Sequence, residues 1–208
     1  MTTKVDALVI GAGVAGLYQI HQLREAGLTV QGVEAGSDVG GTWYWNRYPG
    51  AKFDSESYIY QYLFDEDLYK DWSWSERFPG QPEIEQWLHY VTDRLDLRKD
   101  ISFSARVTKA DFNAETGRWR VETDTGESYD TQFLIGCTGM LSAPLEDRFP
   151  GQASFRGAIV HTGKYPKGGL DLDGKRVGVI GTGATGIQKI HTHTHSIEEQ
   201  TLYHATPQ

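Results

Sequence analysis

Cysteine is nearly absent from this sequence of 208 residues, since Cys137 is the only one. A single cysteine excludes an internal disulfide framework and is typical of proteins kept in a reducing compartment. The sequence also lacks an apolar run long enough to cross a membrane, and its first residues lack the layout of a signal peptide. These absences predict a cytoplasmic protein with no membrane partner.

Positive charge is also in short supply. Lysine and arginine number 20 against 28 aspartates and glutamates, which leaves a formal net charge of −8. With no basic cluster, the sequence does not fit a protein whose main partner is nucleic acid or an anionic membrane surface. Aromatic residues, by contrast, make up 12% of the chain, and many of them fall between residues 43 and 87. That concentration indicates a functional site rather than an ordinary core.

The first 34 residues carry the pattern of a dinucleotide-binding βαβ unit. An apolar strand at residues 7–10 leads into GAGVAG, then a helix, then a second strand that ends in Glu34. Gly11, Gly13 and Gly16 allow a tight turn, the approach of a diphosphate and close packing of the helix on the strand. Glu34 stands where an acid binds ribose hydroxyls. The alternative is an ordinary βαβ turn that holds no ligand.

Residues 35–54 form the next distinct segment. They hold four glycines, one proline and several aromatic residues, with neither a helical nor a strand period. We predict an ordered loop that its aromatic rings hold in place, and long irregular loops in compact domains are usually functional. The alternative is an aromatic cluster that only seals the sheet, because buried tryptophan and tyrosine most often serve packing.

The middle of the chain predicts one helix and a set of strands. The helix covers residues 81–97, with one apolar face formed by Ile84, Trp87, Leu88, Val91 and Leu95. A strand is expected at residues 100–107. A β-meander and a returning buried strand follow, at residues 108–112, 118–123, 127–129 and 132–136.

A second glycine motif follows a linker at residues 144–151. A buried strand is expected at residues 175–180, and Gly181-Thr-Gly183-Ala-Thr-Gly186 comes directly after it. The build is the same as that of the first motif, 170 residues later. Two such motifs imply two nucleotides and usually two βαβ domains.

Taken together, these motifs resemble the type I Baeyer–Villiger monooxygenases, which use FAD and NADPH. The segments that carry the resemblance are GAGVAG with Glu34, GGTWYWNRYPGAKFDSESYIYQY, FRGAIVHTGKYP and GTGATGIQ. The implied fold is α/β. A Rossmann-like FAD-binding domain, a parallel sheet with a small β-meander, would cover residues 1–145. A linker and the first part of a Rossmann-like NADP-binding domain would cover residues 146–208, so the chain would match the N-terminal part of the family's length.

The resemblance implies an FAD site. Asp54 would lie beside the flavin and would orient a catalytic arginine, although no residue of this sequence matches that arginine. The strand end at Cys137 and Thr138 would pass near the cofactor. The expected FAD contacts are Gly11, Gly13, Ala15, Gly16, Glu34, Gly40, Gly41, Thr42, Trp43, Lys52, Asp54, Tyr60, Val107 and Gly139.

The resemblance also implies an NADPH site and a family fingerprint. Phe155, Gly157 and His161 match the pattern FxGxxxHxxxW, in which Tyr165 replaces the tryptophan. The expected NADPH contacts are Gly181, Thr182, Gly183, Ala184, Thr185, Gly186 and Thr206.

The reaction that the resemblance implies uses O2 and a small-molecule ketone. NADPH would reduce the flavin, and a flavin C4a-peroxide would insert one oxygen next to the carbonyl to give an ester or lactone. Tyr165 keeps open a flavin-containing monooxygenase that acts on nitrogen or sulfur. Ala205 stands where the family has a basic residue, which leaves the preference for NADPH open. A third alternative is a non-catalytic nucleotide-binding fragment, which could self-associate.

The histidines at 191, 193 and 195 form an unusual run near the end of the sequence. In a strand, His191, His193 and His195 would share one face and could bind Zn²⁺ or Ni²⁺. A solvated polar surface is the simpler interpretation, and we predict no metal site.

Overall fold

The computed structural model describes residues 2–144, 149–193 and 197–204. The strands of this part are β1 Thr2–Ile10, β2 Val30–Val33, β3 Ile101–Ser102, β4 Val107–Asn113, β5 Arg118–Thr123, β6 Ser128–Gly136, β7 Arg176–Ile180 and β8 Glu199–Tyr203. Its α-helices are α1 Val14–Glu25, α2 Thr42–Trp45, α3 Glu66–Asp71, α4 Gln81–Arg94 and α5 Ala184–His193. A six-stranded sheet has the order β3-β2-β1-β6-β5-β4, and β7 pairs with β8 in a separate sheet.

Strand β1 lies at the centre of the larger sheet. It pairs in parallel with β2 on one side and with β6 on the other. Successive side chains of a strand point to opposite faces. Ala7 and Val9 pack into the cluster that includes α1 and α4, whereas Leu8 packs with Val33 and Val121 against the meander. Residues 7–9 are therefore buried on both faces, as the sequence predicts, and Ile10 at the end of the strand is partly buried.

Helix α4 supplies much of the core over the first face of the sheet. Ile84, Trp87, Leu88 and Val91 are fully buried, which confirms most of the predicted apolar face. The helix ends at Arg94 rather than at residue 97. Asp96 adopts a φ of 50°, a left-handed conformation that does not continue a helix.

Two strand predictions are wrong. The strand expected at residues 100–107 is reduced to β3, because Ser104 adopts a φ of 53° and directs its N–H to the Gly36 carbonyl at 2.8 Å. The strands expected at residues 127–129 and 132–136 are one continuous strand, β6. It pairs in parallel with β1 along its length and antiparallel with β5 over its first half, so the sheet is mixed.

The predicted burial of two strands is also wrong. Phe133 on β6 is 48% exposed, because β5 pairs with β6 only as far as Thr131. On β7, Arg176, Gly178 and Ile180 are exposed. This strand has β8 as its pairing partner in the described residues, and α5 packs against it. The segment at residues 35–54 is not wholly irregular either, since it contains α2.

Helix α5 packs against the turn at residues 48–52. Gly50 adopts a φ of +85°, and a Cβ at this position would overlap the Thr192 hydroxyl and lie 2.5 Å from the Gln188 carbonyl oxygen. The helix that follows the second glycine motif is thereby placed beside residues 48–52 of the aromatic segment. No helix among the described residues has the length and apolarity that crossing a bilayer requires.

Candidate nucleotide-binding sites

The first glycine turn closes directly on the end of β1. Gly11 adopts a φ of +100°, and a Cβ there would lie 2.5 Å from the Cys137 carbonyl oxygen. Its N–H donates to the Val33 carbonyl at 2.9 Å, which ties the turn to the end of β2. A Cβ on Gly16 would overlap the Gly11 carbonyl oxygen. Both positions therefore require glycine for the chain to turn this sharply.

The N-terminus of α1 opens on this turn without a cap. Gly13 occupies the N-cap position, no side chain accepts a hydrogen bond there, and the first turn holds no acidic residue. The first N–H groups of a helix lack acceptors within the helix and attract anions. The turn is therefore suited to a diphosphate.

A second pair of glycines packs against this turn, backbone to backbone. A Cβ on Gly13 would lie 3.2 Å from the Gly41 Cα, and one on Gly41 would lie 2.8 Å from the Gly13 Cα. The Gly40 N–H donates to the Ala12 carbonyl at 3.0 Å. Thus the sequence-predicted residues Gly13, Gly40 and Gly41 are brought together, and exposed Thr42 begins α2 beside them.

Glu34 is 4% exposed and is tied to two backbone amides. One carboxylate oxygen accepts from the Ala12 N–H at 2.7 Å, and the other accepts from the Gly36 N–H at 2.6 Å. The sequence predicts only a contact to ribose hydroxyls. A carboxylate has further acceptor positions on each oxygen, so the group could hold the turn and a ribose together.

The aromatic segment forms a packed layer on α4. The Trp43 ring meets Phe53 edge to face at 5.1 Å between centroids, and Phe53 lies 4.0 Å from Tyr60. The Gln81 side chain donates to the Trp43 carbonyl at 2.6 Å. Glu85 accepts from Gln81 at 3.0 Å and pairs with Arg47. Gln81 and Glu85 belong to no recognisable motif, so their contacts with the aromatic segment could not be predicted from the sequence.

Asp54 is exposed and lies close to two tyrosines. Burial and, secondarily, the charge of Asp54 raise the pKa of Tyr60 and of Tyr48. Lys52, two residues away, is exposed and pairs with Glu76 at 3.0 Å. The structure therefore brings Asp54 to the edge of the aromatic layer, beside its member Tyr60.

Other predicted FAD contacts lie apart from this layer. Val107 begins β4 and packs against the cluster on the opposite face of the sheet, with Ala105 and Val121. Gly139 adopts a φ of +72° in open space, with nothing within 4 Å of an added Cβ. Ala15 is exposed in the first turn of α1.

The second glycine turn repeats the build of the first. Gly181 adopts a φ of +111°, and a Cβ on Gly186 would overlap the Gly181 carbonyl oxygen. The Gly181 N–H donates to the Tyr203 carbonyl at 2.9 Å, as Gly11 does to Val33. A cavity of about 230 Å³ opens at this turn, lined by Thr162, Val179, Ile180, Gly181, Gly183, Thr185, Gly186 and Lys189.

The fingerprint segment connects this cavity to the aromatic segment. Phe155 is 61% exposed, and its ring lies 2.6 Å from the position of a Cβ on Gly157. The His161 Nδ1 accepts from the Gly163 N–H at 3.1 Å. Tyr165 is buried with Tyr48, and burial raises the pKa of its hydroxyl.

Two residues of α5 were missed by the sequence analysis. Lys189 is buried in the second cavity, and its Nζ donates to the Tyr165 hydroxyl at 3.2 Å. Gln188 contacts the turn at residues 48–52, accepting from the Tyr48 hydroxyl at 2.8 Å. Gln188 ends the segment GTGATGIQ and Lys189 follows it, but neither residue type at that place indicates a contact of its own.

The alternative in which His191, His193 and His195 share one face requires a strand. Residues 191–193 belong to α5, so this strand is absent at these positions. His195 lies outside the described residues, as do Ala205 and Thr206. Among the residues that the structure describes, no group of three histidine, cysteine, aspartate or glutamate side chains could hold a metal ion.

Comparison with known proteins places this arrangement in a family. Residues 4–206 match the family model described as FMO-like, flavin-binding monooxygenase-like. The chain is 61% identical over 207 residues to the acetone monooxygenase (methyl acetate-forming) of Gordonia sp. (strain TY-5), covering 100% of this chain and 39% of that protein. It is 50% identical over 186 residues to a Baeyer–Villiger monooxygenase of Pseudooceanicola batsensis, covering 89% of this chain and 34% of that protein.

A solved structure agrees with the sequence comparison. The cyclohexanone monooxygenase from Rhodococcus sp. Phi1, bound to NADP+, superposes with a TM-score of 0.93 at 45% identity. The match covers 100% of this chain and 39% of that one. The present chain thus spans well under half the length of these relatives. It belongs to the flavin-binding monooxygenase-like family, as a partial-length, N-terminal relative of the type I Baeyer–Villiger monooxygenases.

Proposed function

We propose that this chain is the nucleotide-binding part of an FAD-dependent, NADPH-using monooxygenase that inserts one oxygen atom of O2 next to a ketone carbonyl. The observation that carries the proposal is the presence of two glycine turns of one build on either side of a shared seam, where α5 packs on the turn at residues 48–52. Hydride transfer from a nicotinamide to a flavin requires that the two cofactors be brought together, and two adjoining turns would provide a site for each.

FAD fits the first turn. The backbone of Gly11, Gly13 and Gly16 leaves no room for side chains on the inner side of the turn, and the uncapped N-terminus of α1 favours a diphosphate. Bound FAD would supply the oxygen-activating redox chemistry that amino-acid side chains lack. Residues proposed to hold it, besides these glycines, are Ala15, Glu34, Gly40, Gly41, Thr42, Trp43, Lys52, Asp54, Tyr60, Val107 and Gly139.

The aromatic layer and Asp54 would set the polarity and charge of the space beside the flavin. Trp43, Phe53 and Tyr60 form an apolar wall, which would exclude water from a reacting group. The Asp54 carboxylate would add a fixed negative charge at the edge of this wall. In this proposal Asp54 positions a cationic side chain, and no residue of the present sequence is assigned to that cation.

NADPH would occupy the second turn. Thr182, Gly183, Ala184, Thr185 and Gly186 would surround its diphosphate at the N-terminus of α5. Thr206, which lies outside the described residues, is the remaining proposed contact. This assignment divides the chain into an FAD-binding domain at residues 1–145 and a linker with the first part of an NADP-binding domain at residues 146–208.

The proposed substrate class is drawn from the names of related proteins, and one alternative reaction, called the rival below, competes with it. The name acetone monooxygenase, borne by a protein 61% identical to this chain, supports a small ketone as the substrate. Tyr165 favours the rival, oxygenation of nitrogen or sulfur, because it replaces the fingerprint tryptophan. A non-catalytic nucleotide-binding role would follow if the 208 residues hold FAD without turning it over.

The deciding experiment is spectroscopic. Added FAD should bind and gain the shifted absorbance of a protein-bound flavin, and NADPH under argon should then bleach it. After O2 is admitted, acetone or cyclohexanone and a thioether are supplied separately, and the products are separated by gas chromatography. Ester or lactone supports the proposal, sulfoxide alone selects the rival, and FAD binding without bleaching selects the non-catalytic role. A chain that binds no FAD contradicts both monooxygenase assignments, and one that binds neither FAD nor NADPH contradicts the nucleotide-binding role as well.

A further inference from the structure

A buried lysine lies in the cavity at the second glycine turn. Among the described residues that line this cavity, Lys189 carries the single charged side chain. It is 9% exposed, although lysine is among the residues least often buried without a partner. It sits on α5, whose ten residues begin at the glycine turn itself.

The surroundings of Lys189 compensate its charge only in part. The Nζ donates to the Tyr165 hydroxyl at 3.2 Å and lies 4.8 Å from the centroid of the same ring. Within the described part of the chain, no carboxylate forms an ion pair with it. Burial lowers the pKa of Lys189 to about 8, so the group still carries its proton at neutral pH. A neutral hydroxyl and an aromatic face offset less of the desolvation cost than an anion would.

The glycines around the cavity indicate which anion could supply the missing charge. In a βαβ nucleotide site, the diphosphate lies against the glycine turn and the helix N-terminus. A cofactor 2′-phosphate is bound elsewhere, near the end of the following strand, which here is β8. Lys189 contacts the fingerprint segment through Tyr165 and lines the glycine turn, and it does not lie on β8.

We propose that the Lys189 ammonium group binds the diphosphate of the dinucleotide at the second glycine turn, with the Tyr165 hydroxyl holding the ammonium group in position. This inference rests on the nucleotide site proposed above and adds a residue to it. Tyrosine at position 165 fits the pairing, because a phenolic oxygen accepts a hydrogen bond, whereas the indole of tryptophan can only donate one. Lys189 and Tyr165 would therefore act together.

The test measures the dissociation constants of NADP+, NAD+ and inorganic pyrophosphate by calorimetry on the FAD-loaded chain. Replacing Lys189 with methionine removes the charge and keeps the length of the side chain. We expect Lys189→Met to weaken all three ligands by roughly 10-fold or more, the value of one charge-assisted contact. Lys189→Arg, which keeps a cation, should retain most of the affinity and shows whether loss of charge or loss of packing is responsible.

Lys167 provides a matched control. Its Nζ also donates to a tyrosine hydroxyl, that of Tyr44 at 3.1 Å, and lies 4.2 Å from the centroid of that ring. It is exposed and does not line the cavity. We expect Lys167→Met to bind the three ligands as the unchanged chain does. An equal loss in both variants would show a general effect of net charge and would overturn the proposal.

The outcomes separate this inference from the proposed function. Unchanged affinity in Lys189→Met, or a loss for NADP+ alone, overturns the diphosphate contact while the nucleotide site stands. Lys189-dependent binding of pyrophosphate without binding of either dinucleotide supports the contact and contradicts the proposed function. A chain that binds none of the three ligands overturns both.

Discussion

Gln188 holds Lys52 through both ends of its side-chain amide. The Gln188 Nε2 donates to the Lys52 carbonyl at 3.0 Å, and its Oε1 accepts from the Lys52 N–H at 3.2 Å. The pairing resembles that of two strands, although one partner is a side chain. The Tyr48 hydroxyl donates to the same Oε1 at 2.8 Å. One residue of α5 thus satisfies three groups of the turn at residues 48–52.

Replacing Gln188 with alanine should loosen this seam. The Lys52 N–H and carbonyl would lose their partners, and each hydrogen bond contributes about 1 kcal/mol. We expect the Lys52 amide to exchange its hydrogen faster, by roughly 5-fold to 30-fold for 1–2 kcal/mol, when followed by hydrogen–deuterium exchange. Gln86, exposed on α4, is the control, and Gln86→Ala should leave exchange at Lys52 unchanged. Equal exchange in both variants would contradict a structural role for Gln188.

Replacing Glu34 with glutamine should destabilise the first turn. A carboxylate accepts from both Ala12 and Gly36, whereas an amide presents one acceptor oxygen and one donor NH2 group. One buried N–H would then face another donor, at a cost of about 1–3 kcal/mol. Denaturant unfolding should show this loss, and FAD affinity should fall with it. Glu25→Gln, at the exposed end of α1, should change neither the unfolding free energy nor the FAD affinity. A Glu34→Gln variant with unchanged stability would contradict the observed contacts.

Replacing Gly16 with alanine should disturb the turn far more than the same change in open space. The added methyl would overlap the Gly11 carbonyl, a rigid backbone group. We expect a loss of about 1–3 kcal/mol in unfolding free energy, together with loss of FAD binding. Gly136 has nothing within 4 Å of an added Cβ and no left-handed φ, so Gly136→Ala should be close to neutral. A folded, FAD-binding Gly16→Ala variant of normal stability would show that the turn is looser than described.

Lys189 should make stability rise with pH in the absence of nucleotide. Its pKa is lowered to about 8 in the folded chain from about 10.4 when unfolded. Below about pH 8 the Lys189 side chain is charged in both the folded and the unfolded chain, and the folded chain bears the full cost of desolvating that charge. As the pH rises from about 8 to 10.4, the folded state loses its proton first and the cost disappears.

The check compares unfolding free energies near pH 7.5 and near pH 10 in the original chain and in Lys189→Met. The original chain should gain about 2 kcal/mol more than the variant across this interval. Tyr165 faces the same group, and because burial raises the pKa of its hydroxyl, it does not titrate ahead of Lys189. Parallel pH profiles in the two proteins would contradict the burial of this charge.

The local motifs could be predicted from the sequence because their causes are local. Gly11, Gly13 and Gly16 are required by contacts within one turn, and the buried face of α4 follows from a helical period. The division of the sheet could not be predicted in the same way. Ser104 leaves the strand because Gly36, distant in sequence, accepts its N–H. The continuity of β6 depends on β1, which pairs with its whole length.

The candidate sites show the same limit. The sequence predicts Glu34 as a ribose contact. Its hydrogen bonds to Ala12 and Gly36 depend on how the first glycine turn approaches the chain that follows β2. Gln188 and Lys189 were missed, because their roles arise where α5 meets residues 48–52 and Tyr165. A glutamine or lysine after a glycine motif gives no periodic or compositional signal, so only the packing of α5 distinguishes these two residues.

The two hydrogen bonds that join Gln188 to Lys52 form a clamp about which α5 would tilt. Ala184, the first residue of α5, lies four residues before Gln188, or about 6 Å along the helix axis. Any tilt of α5 about this clamp acts on the nucleotide turn through that short arm. A tilt of about 10° would therefore shift the turn by only about 1 Å, whereas regions farther from the clamp would swing through longer arcs.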